Sequence, residues 1–310
     1  MLAVVCPGQG AQSPGMLSPW LELPGSAATL AGYSEAAGTD LTRLGTTADA
    51  ATIRDTAVAQ PLIVATSLLS LGAVLDGADP AAVAGVTAGH SVGELAAVAI
   101  AGVLPAADAL RLVGERGRAM AEAAAATPTG MSAVVGGDPD DVGVVLARHG
   151  LTPANVNGGG QVVAAGTLEQ LAALAADPPA RARVIPLEVA GAFHTEHMAP
   201  AVERVRAVAA SLSPAQPRVA LLSNADGAAV TDGADALARI VAQVARPVRW
   251  DRCCDTMLAM GVTGVLELAP GGVLTGLARR TLKGVEALAL KSPDDLDAAR
   301  DLVRRHGGLE

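Results

Sequence analysis

Ser91 lies in the run Gly89-His90-Ser91-Val92-Gly93, a Gly-x-Ser-x-Gly pattern. An apolar stretch, Val83 to Ala88, leads into it, and an Ala/Val/Leu-rich stretch, Glu94 to Leu104, leads out. Strand, sharp turn and helix in that order would expose a serine hydroxyl at the edge of a sheet above a helix N-terminus, where a nucleophile is needed. Glycines flank such a serine because side chains there would collide with the adjoining strand and helix. An ordinary glycine-rich turn has the same appearance, so these five residues alone leave both readings open.

Three further places carry groups capable of chemistry. His194 and His197 sit three apart in Ala190-Gly191-Ala192-Phe193-His194-Thr195-Glu196-His197-Met198. Zinc would require a His-Glu-x-x-His pattern or a third ligand, and neither is present, so His194 reads as a base and no metal is expected. Leu112, Arg116 and Met120 follow at i, i+4 and share one helical face. An arginine there is either a snorkelling surface side chain or a buried partner for an anion. Gln9, between Gly8 and Gly10 after an apolar strand, either offers its backbone N–H to a cleft or belongs to a simple turn.

The surrounding pattern alternates strands and helices. Leu2 to Cys6 reads as a strand. Residues 15 to 80 read as helical in pieces, broken at Pro19, Pro24, Gly38 and Pro61, with Leu62 to Leu75 apolar on nearly every face and therefore buried. Pro105 opens a helix running to Met120. From Met131 to Val189 the order is strand, helix (Pro139 to Arg148), two strands joined across Gly158-Gly159-Gly160, helix (Leu168 to Ala176) and strand (Arg183 to Val189). That βαββαβ order is ferredoxin-like. Helices over Ala201 to Leu212, Ala236 to Val244 and Val273 to Leu282, strands over Val219 to Ser223 and Gly264 to Leu268, and a helical tail from about Pro293 complete an α/β fold with a mostly parallel sheet.

The 310 residues exceed a usual single core. With 51% hydrophobic and 17% charged residues the chain has the composition of a packed globular protein. Aromatics are 1% and net charge is -9, which argues against nucleic-acid binding. No basic leader and no uninterrupted apolar run of bilayer length are evident, so no membrane role is expected. Cys6, Cys253 and Cys254 form no paired framework, and a reduced, cytoplasmic protein is expected.

Taken together the motifs resemble one family, the malonyl-CoA:acyl carrier protein transacylases and related acyltransferase domains of fatty-acid and polyketide synthases. The matching runs are Pro7-Gly8-Gln9-Gly10-Ala11-Gln12, Ala59-Gln60-Pro61, Gly89-His90-Ser91-Val92-Gly93-Glu94, Glu115-Arg116-Gly117, Asn155-Val156-Asn157-Gly158, Gly191-Ala192-Phe193-His194-Thr195, Pro247-Val248-Arg249-Trp250 and Pro270-Gly271-Gly272-Val273-Leu274-Thr275-Gly276-Leu277. Each is weak alone; eight in order from residue 4 to about 282 are specific.

The resemblance implies an α/β fold with a hydrolase-like core, residues 1–126 and 190–310, and a small ferredoxin-like subdomain, residues 127–189. It implies a freestanding enzyme that moves malonyl from malonyl-CoA to holo acyl carrier protein by a ping-pong route, with no cofactor of its own and as a monomer. Ser91 would be the nucleophile and His194 the general base. The backbone carbonyl of Gln243 would orient the imidazole, and the backbone N–H groups of Gln9 and Val92 would form the oxyanion hole. Arg116 would pair with the malonate carboxylate, beside Met120. Phe193 would exclude a methyl branch at the α-carbon. His90 would be pocket wall, and Asn155 and Asn157 structural. Arg279, Arg280 and Lys283 are either a carrier-protein docking patch or a solvated helix face. An α/β-hydrolase shares the serine motif but needs a triad acid, and none stands out. A non-catalytic carrier-binding scaffold would be expected to lack the serine or the histidine, and both are present.

Overall fold

The computed structural model describes residues 1–307. The C-terminal end of the expected helical tail, residues 308–310, lies outside the described residues. Two sheets organise the chain. The larger has the order β11-β10-β1-β2-β7-β8, built from β1 (Leu2–Cys6), β2 (Val86–Gly89), β7 (Ala220–Leu222), β8 (Ala229–Val230), β10 (Gly264–Glu267) and β11 (Glu286–Ala289). All neighbours are parallel except β7 and β8. Every residue of β1 is buried, as an unbroken apolar run in the middle of a parallel sheet must be. Its register against β2, Cys6 opposite Gly89, brings the turn after β1 alongside the serine turn.

Helices cover the large sheet. Thr56–Leu75 packs on Ala106–Ala126, and both contribute heavily to the main core. The expected break at Pro61 does not occur: the proline sits inside Thr56–Leu75. A proline there removes one N–H from the helix, a local cost that burying Leu62, Ile63 and Val64 outweighs. By length and composition alone this helix could cross a membrane, but here most of it is buried in the core. Gly38 does end a helix, capping Ser26–Ala37 in the left-handed region.

The smaller sheet has the order β6-β3-β5-β4-β9. Its strands are β3 (Thr129–Gly136), β4 (Thr152–Gly158), β5 (Gln161–Thr167), β6 (Ala182–Pro186) and β9 (Val248–Arg249). Helices Pro139–Arg148 and Leu168–Ala176 follow β3 and β5. Thus βαββαβ is the observed order, and Gly158, Gly159 and Gly160 all adopt positive φ in the β4–β5 turn. The fifth strand corrects the expected boundary. β9 comes from the C-terminal part of the chain and pairs parallel with β4, Asn155 opposite Val248, so the sheet is not confined to residues 127–189. A two-residue strand carries no periodicity by which a sequence could reveal it.

Candidate active site

The serine turn is built by close approach. A Cβ on Gly89 would stand 1.9 Å from the carbonyl carbon of Gly93, and one on Gly93 would stand 2.3 Å from the Cys6 carbonyl oxygen. Only glycine fits at either position. Ser91 adopts φ 53°, and the chain continues through a short 3-10 turn, Ser91–Gly93, into the helix Glu94–Ile100. Asn224, just after β7, secures the turn from below. Its Oδ1 accepts the Ser91 N–H at 2.8 Å, and its Nδ2 donates to the Gly89 carbonyl at 2.8 Å.

His194 arrives from the segment after β6, also at positive φ (63°). The Ala192 N–H donates to Thr129 Oγ1 and the Thr195 hydroxyl donates to the Ala192 carbonyl, fixing the approach. Ser91 Oγ lies 2.7 Å from His194 Nε2, and His194 Nδ1 lies 2.8 Å from the Gln243 carbonyl oxygen. A carbonyl only accepts, so Nδ1 carries the proton and Nε2 is left to accept from the serine hydroxyl. Burial, reinforced by the Arg116 charge, lowers the His194 pKa to about 3. The imidazole is therefore neutral, with Nε2 unprotonated toward Ser91 Oγ.

Arg116, from the helix Ala106–Ala126, is 1% exposed. Its NH1 donates to Gln60 Oε1 at 2.6 Å and its NH2 to Gln243 Oε1 at 2.9 Å, while Nε has no partner among the described residues. Burial lowers its pKa to about 10, which still leaves a cation at neutral pH. Beyond Gln243 lies Glu94, also buried, whose oxygens accept from the Asn224 backbone N–H and from Gln243 Nε2. Burial pushes the Glu94 pKa up to about 8, opposed by the Asn224 hydrogen bond and the Arg116 charge. Gln243 thus serves twice, its carbonyl on His194 and its side chain between Arg116 and Glu94.

Ser91, His194 and Gln60 face a cavity of about 210 Å³ between the two sheets. Gly8, Gln9, Gln60, His90, Ser91, Met120, Phe193 and His194 line it from the large-sheet side. Met131, Asn155 and Asn157 line it from the small sheet, and Val273, Leu274 and Leu277 from one helix. His90 Nε2 donates to Asn157 Oδ1 at 2.9 Å and its ring meets Trp250 edge-on at 5.7 Å, so it is held as wall. Burial lowers its pKa. Gln9 lines the cavity and its side chain reaches toward Thr56, whereas Val92 is buried in the core and is not among the lining residues. His197 lies in the turn Glu196–Met198, its N–H bonded to Thr195 Oγ1. Arg279, Arg280 and Lys283 are exposed at and just beyond the end of the helix that supplies Val273. All three cysteines are buried free thiols, raised in pKa chiefly by burial.

The acyl transferase domain model matches residues 3–297. The chain belongs to the acyl transferase domain family. A malonyl CoA-acyl carrier protein transacylase of Mycobacterium tuberculosis is 53% identical over 307 residues, covering 97% of this chain and all of the relative. A crystal structure of MCAT from Mycobacterium tuberculosis superposes with a TM-score of 0.91 at 53% identity, over 97% of this chain and 99% of that one. A further neighbour is a structure of a type II PKS acyl-carrier protein in complex with its malonyl-transacylase, at TM-score 0.88 and 29% identity over 97% and 99%. In this acyltransferase family setting, three residues absent from the sequence-based site stand out: Asn224, Gln60 and Glu94. The last two lay inside recognised motifs without a role; Asn224 had no signal beyond following a strand.

Proposed function

We propose that the chain transfers malonyl from malonyl-CoA to the phosphopantetheine thiol of holo acyl carrier protein by a ping-pong route. The observation that carries this reading is the Ser91–His194–Gln243 carbonyl line, bonded through Gln243 to the buried Arg116 beside one cavity. His194 Nε2 takes the Ser91 proton as Oγ bonds to the malonyl carbonyl carbon. The tetrahedral oxyanion is received by the backbone N–H groups of Gln9 and Val92. The carbon–sulfur bond then breaks and the proton passes to the departing coenzyme A thiol, leaving a malonyl-serine ester. In the second half His194 takes the carrier thiol's proton, the thiol attacks the ester, and the proton returns to Ser91 Oγ.

Arg116 holds the free carboxylate through its guanidinium donors. Phe193, buried and on the cavity wall, restricts the α-carbon, and Met120 fills the apolar flank. Arg279, Arg280 and Lys283, exposed at and just beyond the far end of the helix whose Val273 lines the cavity, offer charge to an acidic carrier. The fold reading is a hydrolase-like core with a ferredoxin-like insert spanning 127–189 and completed by β9. The enzyme needs no metal or cofactor of its own and works as a cytoplasmic monomer.

Intact-mass measurement after mixing with malonyl-CoA tests this. A malonyl adduct on Ser91 that disappears on adding holo acyl carrier protein, with malonyl appearing on the carrier, is the expected result. Ser91→Ala should give no adduct while remaining folded. Rapid free malonate would mark a hydrolase instead, and no adduct on the unaltered chain a scaffold.

A further inference from the structure

Arg116 already has a partner that resembles its proposed ligand. Gln60 is 2% exposed, lines the cavity on one side and binds Arg116 on the other. Its Oε1 accepts from Arg116 NH1 at 2.6 Å, a charge-assisted contact of an sp² oxygen with a guanidinium donor. One oxygen of a carboxylate would present the same thing. The other end of the carboxamide is poorly matched, because Nε2 points to Met120 Sδ at 3.5 Å, a weak acceptor. The guanidinium itself does not line the cavity, so a carboxylate reaching it must contend with Gln60.

Resting on the carboxylate reading of Arg116 above, we propose that Gln60 is a specificity-determining residue whose Oε1 is a placeholder for the substrate carboxylate. Malonyl displaces it from Arg116; an uncharged acyl group leaves it in place. NH1 of the wild-type arginine therefore keeps its partner when acetyl enters. Gln60 and Gln243 keep NH1 and NH2 paired, and discrimination rests on exchanging an amide oxygen for a carboxylate. Without Gln60 an uncharged acyl group would leave a buried cationic donor unpaired, and selectivity for malonyl would sharpen.

The test measures acyl-enzyme formation from malonyl-CoA and from acetyl-CoA in wild type, Gln60→Leu and Gln60→Glu. In Gln60→Leu acetyl loading should fall about tenfold or more beyond any fall in malonyl loading, the effect of one unpaired buried donor. In Gln60→Glu a carboxylate is already seated on Arg116, so malonyl brings a second like charge. There malonyl loading should fall about tenfold or more beyond acetyl loading. Opposite movements of one ratio cannot arise from a general loss of folding. If Gln60→Leu reduces malonyl as much as acetyl, or more, Gln60 donates to the carboxylate or only supports Arg116, and the placeholder is overturned. Arg116→Ala in the same assay separates the two levels. Malonyl loading lost there, with the Gln60→Leu ratio unchanged, overturns the placeholder alone; malonyl loading retained there overturns the carboxylate reading with it.

Discussion

Asn224→Ala is expected to damage the nucleophile without touching substrate. Asn224 is 0% exposed and holds both sides of the serine turn, the Ser91 N–H and the Gly89 carbonyl, each at 2.8 Å. Alanine leaves both backbone groups buried and unpaired, at about 1–3 kcal/mol each, so the unfolding free energy should drop by roughly 2–6 kcal/mol. Ser91 is also held at φ 53°, a conformation costing a non-glycine residue on the order of 1–3 kcal/mol, which persists only while its surroundings enforce it. Relaxation of that turn would move Oγ from its 2.7 Å contact with His194 Nε2. A misplacement near 1 Å costs about 100-fold in rate.

Denaturant unfolding reads the first effect, and single-turnover malonyl loading at saturating malonyl-CoA reads the second. Because Asn224 acts through Ser91, loading should slow at saturation with little change in the malonyl-CoA concentration needed to reach it. Acetyl loading should slow by the same factor. An Asn224→Ala variant within about 0.5 kcal/mol of wild type and with unaltered loading would refute the positioning role. So would a loss confined to malonyl, since that would place Asn224 with the carboxylate site.

His194→Ala should slow loading by about two to four orders of magnitude, with chelators having no effect on the unaltered enzyme; activity abolished by a chelator and restored by zinc would return His194 and His197 to the role of ligands. With the His194 pKa lowered to about 3, the neutral base persists through mildly acidic pH, so loading should show no acidic limb near the ordinary value of 6.5, and such a limb would contradict the buried neutral imidazole. The same shift means the unfolded chain binds more protons below pH 6.5, so His194 makes folding less favourable as pH falls from 6.5 toward 3, a trend that Phe replacing His194 should reduce in pH-dependent unfolding. Phe193→Ser should relax discrimination against methylmalonyl-CoA by about 1–3 kcal/mol, read as the ratio of loading rates; an unchanged ratio would place the ring away from the α-carbon.

Much of the architecture was legible because its elements announce themselves by period and composition. The unbroken apolar run Leu2–Cys6 reads as a central parallel strand, and the βαββαβ order between residues 129 and 186 followed from alternating runs with glycine turns. The misses have physical reasons. Pro61 looked like a break because the helix-breaking preference is local, whereas burial of the whole Thr56–Leu75 face is a tertiary gain. Strands β8 and β9 are two residues each, stabilised by the strand beside them, so no pattern within them could identify them.

The site divides along the same line. Ser91, His194 and Arg116 carry distinctive chemistry in distinctive neighbourhoods, and sequence order alone set them on separate elements. What sequence could not supply is their mutual satisfaction. Arg116 read from its helical face is an isolated charge awaiting a carboxylate, but a cation 1% exposed must be compensated even when no substrate is present. Gln243 and Gln60 bond its NH2 and NH1, drawn from a distant helix and the apolar helix Thr56–Leu75, and Glu94 in turn holds Gln243. That requirement also binds the chemistry together. Glu94 lies three residues after the nucleophile, and Gln243 offers its carbonyl to the base and its amide oxygen to the arginine. On the proposed reading, a change at Arg116 therefore acts on the same side chains that orient Ser91 and His194, and selectivity and turnover would share one hydrogen-bond network.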